Sequence, residues 1–168
     1  ALLIDCRSLE TSTAPLPPNT AVVILDTSTR RGLVDSKYNE RREQCEAATK
    51  HFGVKALRDV DTETFAKRAD ELEPLIRQRA RHIISENDRT LRAKEAMNSS
   101  DPTFLGKLMI ESHVSLRDDF EVSSEALDII VDCANAEASC YGARMTGAGF
   151  GGCAVALVKA DTVEEFVA

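Results

Sequence analysis

The chain lacks the features that would place it outside the ordinary globular class. It has no excess of basic residues: 21 lysines and arginines stand against 28 aspartates and glutamates, a net charge of −7. A nucleic-acid partner calls for a basic face, so this balance argues against one. No apolar run approaches the ~20 residues of a membrane-spanning helix. No secretory leader is visible, because Ala1-Leu2-Leu3-Ile4 is followed at once by Asp5 and Arg7. There is no Cys-x-x-Cys. The five cysteines (Cys6, Cys45, Cys133, Cys140 and Cys153) are odd in number and widely spaced. That pattern fits neither a zinc site nor a disulfide framework. They are expected to be reduced and mostly buried, in a cytoplasmic protein. Internal repeats and low-complexity segments are also missing.

What remains is a globular balance of 43% hydrophobic and 29% charged residues over 168 positions. That is enough for one cored domain, or one domain and a piece of another. The apolar opening without Met and the unfinished helix signal over residues 161–168 read as the ends of an excised piece.

Residues 1–8 predict a short strand, and Pro15, Pro17 and Pro18 make residues 11–19 a loop. The run Thr20–Asp26, rich in β-branched residues, predicts a central strand covered on both faces. A helix is expected from about Tyr38 to Phe52, stopped by Gly53 at C′. Shorter and longer helices follow at Asp61, an N-cap residue, and at Pro74, a first-turn proline. The stripe of the long helix is Ile76, Ala80, Ile83, Ile84, Asn87 and Leu91. Asp101-Pro102 opens another helix, with Phe104, Leu105, Leu108, Met109 and Ser112 on one face. Ser123-Ser124-Glu125 opens the next, with Leu127, Ile130, Val131 and Ala134. Residues 141–146 and 153–158 read as strands around a glycine turn. Strands grouped apart from helices indicate an α+β fold.

The glycine turn, residues 147–152, is the strongest local feature. Four of its six residues are glycine, half of those in the chain. Such a turn lets backbone, nucleotide or sugar approach closely, and its N–H groups can form an anion-binding nest. The plainer reading is a tight hairpin turn. Gly147, Gly149 and Gly152 formally satisfy G-x-G-x-x-G, but a dinucleotide fingerprint opens a helix, and here a strand follows. No Gly-Lys-Ser/Thr of a P-loop is present. His113 reads as a packing or capping histidine rather than a general base. Arg117-Asp118-Asp119 reads as a helix-end cluster. Arg77, Arg79, Arg81 and His82 read as a solvated face, and neither His51 nor His82 has partners at metal spacing.

Four stretches in collinear order carry a resemblance. Arg144-Met145-Thr146-Gly147-Ala148-Gly149-Phe150-Gly151-Gly152-Cys153 resembles the third motif of the GHMP kinases in its galactokinase form. Ala1 to Leu9 resembles the galactokinase segment after the catalytic region. Tyr38-Asn39-Glu40-Arg41-Arg42-Glu43-Gln44-Cys45 is similar to the family's Tyr-x-x-Arg-Arg-x-Gln-Cys helix. Glu111 to Phe120 is similar to its Glu-Ser-His-x-Ser-Leu-Arg-Asp-Asp segment.

The resemblance implies a ferredoxin-like two-layer sandwich with extra helices. Residues 1–19 would be the tail of an N-terminal catalytic domain, and residues 20–168 a C-terminal domain truncated at its end. It implies ATP and Mg²⁺, with galactose phosphorylated at its anomeric hydroxyl. Tyr38 would sit at the sugar, against the plainer reading of a packing residue. Gly147, Ala148, Gly149, Phe150, Gly151 and Gly152 would line the active site. Arg30 would be a phosphate or carboxylate partner, against the plainer reading of a turn arginine. Position 148 is usually Gly in galactokinases. If it needs φ > 0, Ala costs on the order of 1 kcal/mol there.

The family's Gly-Glu-His motif, its phosphate loop and its Asp/Arg pair would all lie upstream of Ala1. No catalytic residue and no metal ligand is therefore assigned, and the chain alone is expected to be inactive. Residues 1–8 would pair with the N-terminal domain, and without it would offer an unpaired edge for self-association. An N-acetylgalactosamine kinase and a galactose-sensing relative remain as alternative readings.

Overall fold

The computed structural model of the chain describes residues 1–29 and 34–168, apart from the side chains of residues 34–36. Strand and helix segments are grouped rather than alternating, as expected for α+β. Strands β3 (Thr20–Asp26), β4 (Cys140–Met145) and β5 (Cys153–Lys159) form one antiparallel sheet in the order β3-β5-β4. Its register runs from Thr20↔Lys159 to Asp26↔Cys153 and from Cys140↔Val158 to Met145↔Ala154.

One face of the sheet carries Ala21, Val23, Leu25, Ala143, Met145, Ala154, Ala156 and Val158. It packs on Leu127, Val131 and Ala134 of α5 (Glu125–Ala136). That is the stripe expected at helical spacing, launched by Ser124, whose hydroxyl accepts from the Leu127 N–H. On the other face, Leu157 is covered by Ala96, Leu105 and Leu108, while Val22 and Ile24 stand 48% and 71% exposed. The sequence expectation for β3 therefore needs correcting. The run is apolar on both faces, but β3 is an edge strand covered on one, and β5 is central.

The outer edge of β4 is closed by side chains. The outward N–H of Ala143 donates to Asn135 Oδ1 at 2.8 Å, and that of Met145 to His113 Nδ1 at 3.2 Å. Helix α4 (Pro102–Asp118) approaches β4 backbone to backbone, where Gly106 meets Gly142. A Cβ on Gly106 would lie 2.0 Å from the Tyr141 carbonyl oxygen, so neither partner has room for a side chain.

The helical layer is built on α3 (Pro74–Asn98), a rod of about 37 Å. Its apolar side, with Ala80 and Ile84, packs on Ala48 of α1 (Val34–Phe52) and on Leu57, Val60 and Leu72 of the segments beside α2 (Thr62–Arg68). Helix α1 begins one turn before the expected Tyr38. It ends as expected, with Gly53 at φ +68 and the Val54 N–H returning to Thr49. Asp61 and Asp101 cap α2 and α4 at the N–H of Thr64 and Phe104. Along α3 the expected stripe does not persist, and Asn87 and Leu91 are exposed. A second inward face takes over toward α4, carrying Arg79, His82 and Ala96. The supposed solvated patch is therefore half buried. Arg79 and His82, three residues apart, both point inward because α4 covers that side.

Two further expectations are corrected. Residues 1–8 do not present a lone strand. β1 (Leu2–Ile4) pairs with β2 (Thr11–Thr13), a strand inside the stretch expected to be a loop. This hairpin is tied to the helices by Asp5–Arg58, Arg7–Asp59 and Ser12–Lys94 contacts. The cysteines are not mostly buried. Cys6 and Cys133 are exposed and the other three half-buried, because Cys133 lies off the Leu127/Val131/Ala134 stripe and Cys6 lies in the hairpin turn. Burial pushes the thiol pKa of Cys45 and Cys140 upward. Among the described residues, no helix is long and apolar enough to cross a membrane.

Candidate active site

The β4–β5 connection does not form a two-residue hairpin turn. Gly147, Gly149, Gly151 and Gly152 all have positive φ, and so does Phe150 at +60. Ala148 does not, which resolves the concern about that position: its neighbours carry the left-handed geometry and alanine is tolerated. Gly149 shows why. At φ +83, a Cβ would lie 2.0 Å from the Val122 carbonyl oxygen.

The loop is held at two points by distant parts of the chain. The Phe150 N–H donates to Val122 O at 2.7 Å. The Gly152 carbonyl accepts from both the N–H and the hydroxyl of Thr27, at 3.1 and 2.7 Å. The Thr27 hydroxyl in turn meets that of Thr29 at 2.6 Å, and Thr29 stands against Gly151. From α1, the Lys37 ammonium lies 5.1 Å from the centre of the Phe150 ring, which helps offset the left-handed strain at a bulky residue.

Beside the loop lies an open cavity of about 270 Å³. Tyr38, Arg41, Arg42 and Cys45 of α1 form one wall. Gly147, Ala148 and Phe150 line it from the loop, and Leu116, Phe120 and Val122 complete the lining. The two sequence signals, Tyr38 and the glycine loop, thus share one cavity. Tyr38 is 59% exposed, its phenol available to a ligand. Gly149, Gly151 and Gly152 shape the loop without lining the cavity. Arg30 lies outside the described residues.

The segment after α4 is organised by arginines whose anchoring role the sequence pattern does not indicate. Five consecutive carbonyls at and just past the end of α4 are taken by four donor residues. Asp118 O takes Gln78 Nε2, Asp119 O takes Arg79 Nη1 at 2.6 Å, and Phe120 O takes Arg41 Nε at 2.6 Å. Glu121 O takes Arg41 Nη2 at 3.2 Å, and Val122 O takes the loop. Asp118 ends α4 and the other four carbonyls follow it, beside the negative end of the helix and without an intrahelical N–H to take, so the guanidinium donors suit their position. Arg79, 1% exposed, also grips the Glu121 carboxylate and shares Gln44 Oε1 with Arg41. Glu121 itself has φ +52.

The histidines are structural. His113 is buried, and because its Nδ1 accepts from Met145 N–H, its proton sits on Nε2. Nε2 faces Asp128 Oδ1 at 3.3 Å without hydrogen-bond alignment. Burial holds its pKa below the ordinary value, so it serves as a neutral brace between α4, β4 and α5. His82 stacks on Phe120 at 4.6 Å and meets the Ser115 hydroxyl at 3.0 Å. Burial lowers its pKa to about 4. Asp119 accepts from Ser115 and Arg81, and Arg117 pairs with Asp118, the helix-end cluster that the sequence suggested.

Residues 93–168 match the family model described as GHMP kinases C terminal. The chain carries a GHMP kinase C-terminal domain. Its mixed helix-and-antiparallel-sheet architecture is the fold of that domain. The chain is similar to Lactococcus lactis galactokinase, solved in complex with galactose, with a TM-score of 0.93 and 38% identity over 98% of this chain. It spans 44% of that kinase's chain. Mevalonate kinase of L. major, solved with R-mevalonate, shares the fold at TM-score 0.59 and 21% identity. That match covers 94% of this chain and 40% of the other.

In this GHMP kinase domain the glycine motif was legible as a motif. Arg41 was visible only as a letter in a helix pattern, and Thr27 and Val122 gave no signal, because they act through backbone contacts. Among the described residues, no group of three or more His, Cys, Asp and Glu side chains stands together as a metal site.

Proposed function

We propose that this chain is the C-terminal part of a galactokinase, which transfers the γ-phosphoryl group of ATP to the anomeric hydroxyl of galactose. The observation that carries the reading is the meeting of Tyr38 with the glycine loop in one cavity, in a chain 38% identical to a galactokinase. A phenol can donate to or accept from a sugar hydroxyl, and its ring can cover an apolar sugar face. The loop's exposed backbone and lack of side-chain bulk suit close approach of sugar and phosphate, where positioning dominates phosphoryl transfer.

In this reading the sugar oxygen forms the new P–O bond, ADP leaves, and the hydroxyl proton passes to an acceptor in the N-terminal domain. ATP supplies the phosphoryl group and Mg²⁺ its charge neutralisation. In this reading the N-terminal domain and the nucleotide hold the metal. Residues 1–19 belong to that domain, and the chain by itself is inactive. Arg30 is a further proposed partner for phosphate or a carboxylate. The protein works in the cytoplasm.

The test is galactose-dependent ADP release by this chain and by the chain extended upstream. Turnover in the extended protein alone is expected. If the extended protein binds galactose and ATP but turns over neither galactose nor N-acetylgalactosamine, the kinase reading fails and a sensing role replaces it.

A further inference from the structure

We infer that Arg41 is a positioning residue for the glycine loop, acting through the backbone of residues 120–122 rather than on a ligand. The inference deepens the proposed function, and its catalytic arm rests on that reading. Arg41 is buried, and its guanidinium is consumed by protein. Nε and Nη2 donate to the adjacent carbonyls of Phe120 and Glu121, at 2.6 and 3.2 Å, and Nη1 to Glu40 and Gln44, at 3.0 and 3.3 Å. The next carbonyl, Val122 O, receives the Phe150 N–H at 2.7 Å.

One planar fork therefore fixes two peptide units, and the peptide that follows them fixes the loop. Tyr38 lies one helical turn before Arg41 on the same wall of the cavity. A single helix thus carries the proposed sugar contact and the anchor that sets how far the loop stands from it. A planar guanidinium presents its two N–H groups to neighbouring carbonyls in one fixed geometry. A lysine ammonium carries the charge without that geometry.

The experiment is amide hydrogen exchange on the intact protein, wild type against Arg41→Ala and Arg41→Lys, with Met145 as the internal reference. The Met145 N–H is bonded to His113 and not to the backbone of residues 120–122. The expected result is exchange at Phe150 faster by about tenfold or more in the alanine variant. A smaller selective increase is expected in the lysine variant, with Met145 unchanged in both. Wild-type protection at Phe150 in both variants overturns the inference. So does equal acceleration at Phe150 and Met145, which is general loosening.

In the extended kinase, Arg41→Lys is expected to lower kcat by about 10- to 100-fold, with galactose KM moved less than about threefold. A change confined to KM overturns the positioning role. An extended wild-type protein with no turnover sinks the kinase reading, and the exchange experiment still decides the anchor.

Discussion

Replacing Gly149 by alanine puts a methyl group where the backbone of residue 122 already is. The built Cβ falls 2.0 Å from Val122 O and 2.9 Å from the Met145 side-chain methyl. The thioether end can swing away, but the carbonyl has to retreat by about 1 Å, and that retreat breaks the 2.7 Å bond from the Phe150 N–H. Holding alanine at φ +83 adds ~1–2 kcal/mol, and the lost hydrogen bond adds ~0.5–1.5 kcal/mol. The expected loss is therefore about 1.5–3.5 kcal/mol. It is read as a lower urea midpoint at unchanged m-value. Ala148→Gly is the matched control one residue away. Its position has no positive φ, so it should cost no more than ~1 kcal/mol, through added freedom of the unfolded chain. If Gly149→Ala unfolds within ~0.5 kcal/mol of the parent, the loop does not have the shape described, and the argument from Val122 O falls with it.

Gly106→Ala should cost about 3 kcal/mol or more, because α4 and β4 touch through backbone there; a chemical-denaturation curve near wild type would falsify this. His82 has a folded pKa of about 4, lowered by burial against its ordinary value of 6.5, so folding favours the neutral ring. Its contribution is whole above about pH 6.5 and drains away as pH falls toward 4, about 2–3 kcal/mol by roughly pH 4.5. His82→Gln should flatten that part of the stability profile, and an unchanged profile would refute the assignment. Tyr38→Phe should leave stability within ~0.5 kcal/mol, since the side chain is largely exposed. In the extended kinase it should raise galactose KM by up to about tenfold, and an unaltered KM would remove Tyr38 from the sugar site.

The fold was legible wherever a residue type announces its backbone state. Asp61, Asp101 and Ser124 mark helix starts through their side-chain oxygens, and Gly53 marks a stop through its φ. The glycine loop was visible for the same reason. What could not be read was burial set by partners far away in sequence. Val22 and Ile24 are as hydrophobic as core residues, yet nothing among the described residues covers them. Arg79 and His82 look like surface residues, and only the passage of α4 over that side of α3 buries them. The pairing of Thr11–Thr13 with β1 was hidden by nearby prolines that lie just past the strand. The supports of the loop were the least legible part. A carbonyl such as Val122 O is present at every position and carries no letter.

The sheet is finished on one side and open on the other. Along β4, an asparagine amide and a histidine ring occupy the outward N–H groups of Ala143 and Met145, so no strand can be added there without first dislodging a helix. Along β3, the described residues leave the outer edge bare, beside Val22 and Ile24. Growth of this sheet, whether by another segment of a longer polypeptide or by a second molecule, therefore has a single permitted direction. Any effort to keep the isolated chain from adding to this sheet should begin with charge or proline in residues 20–26.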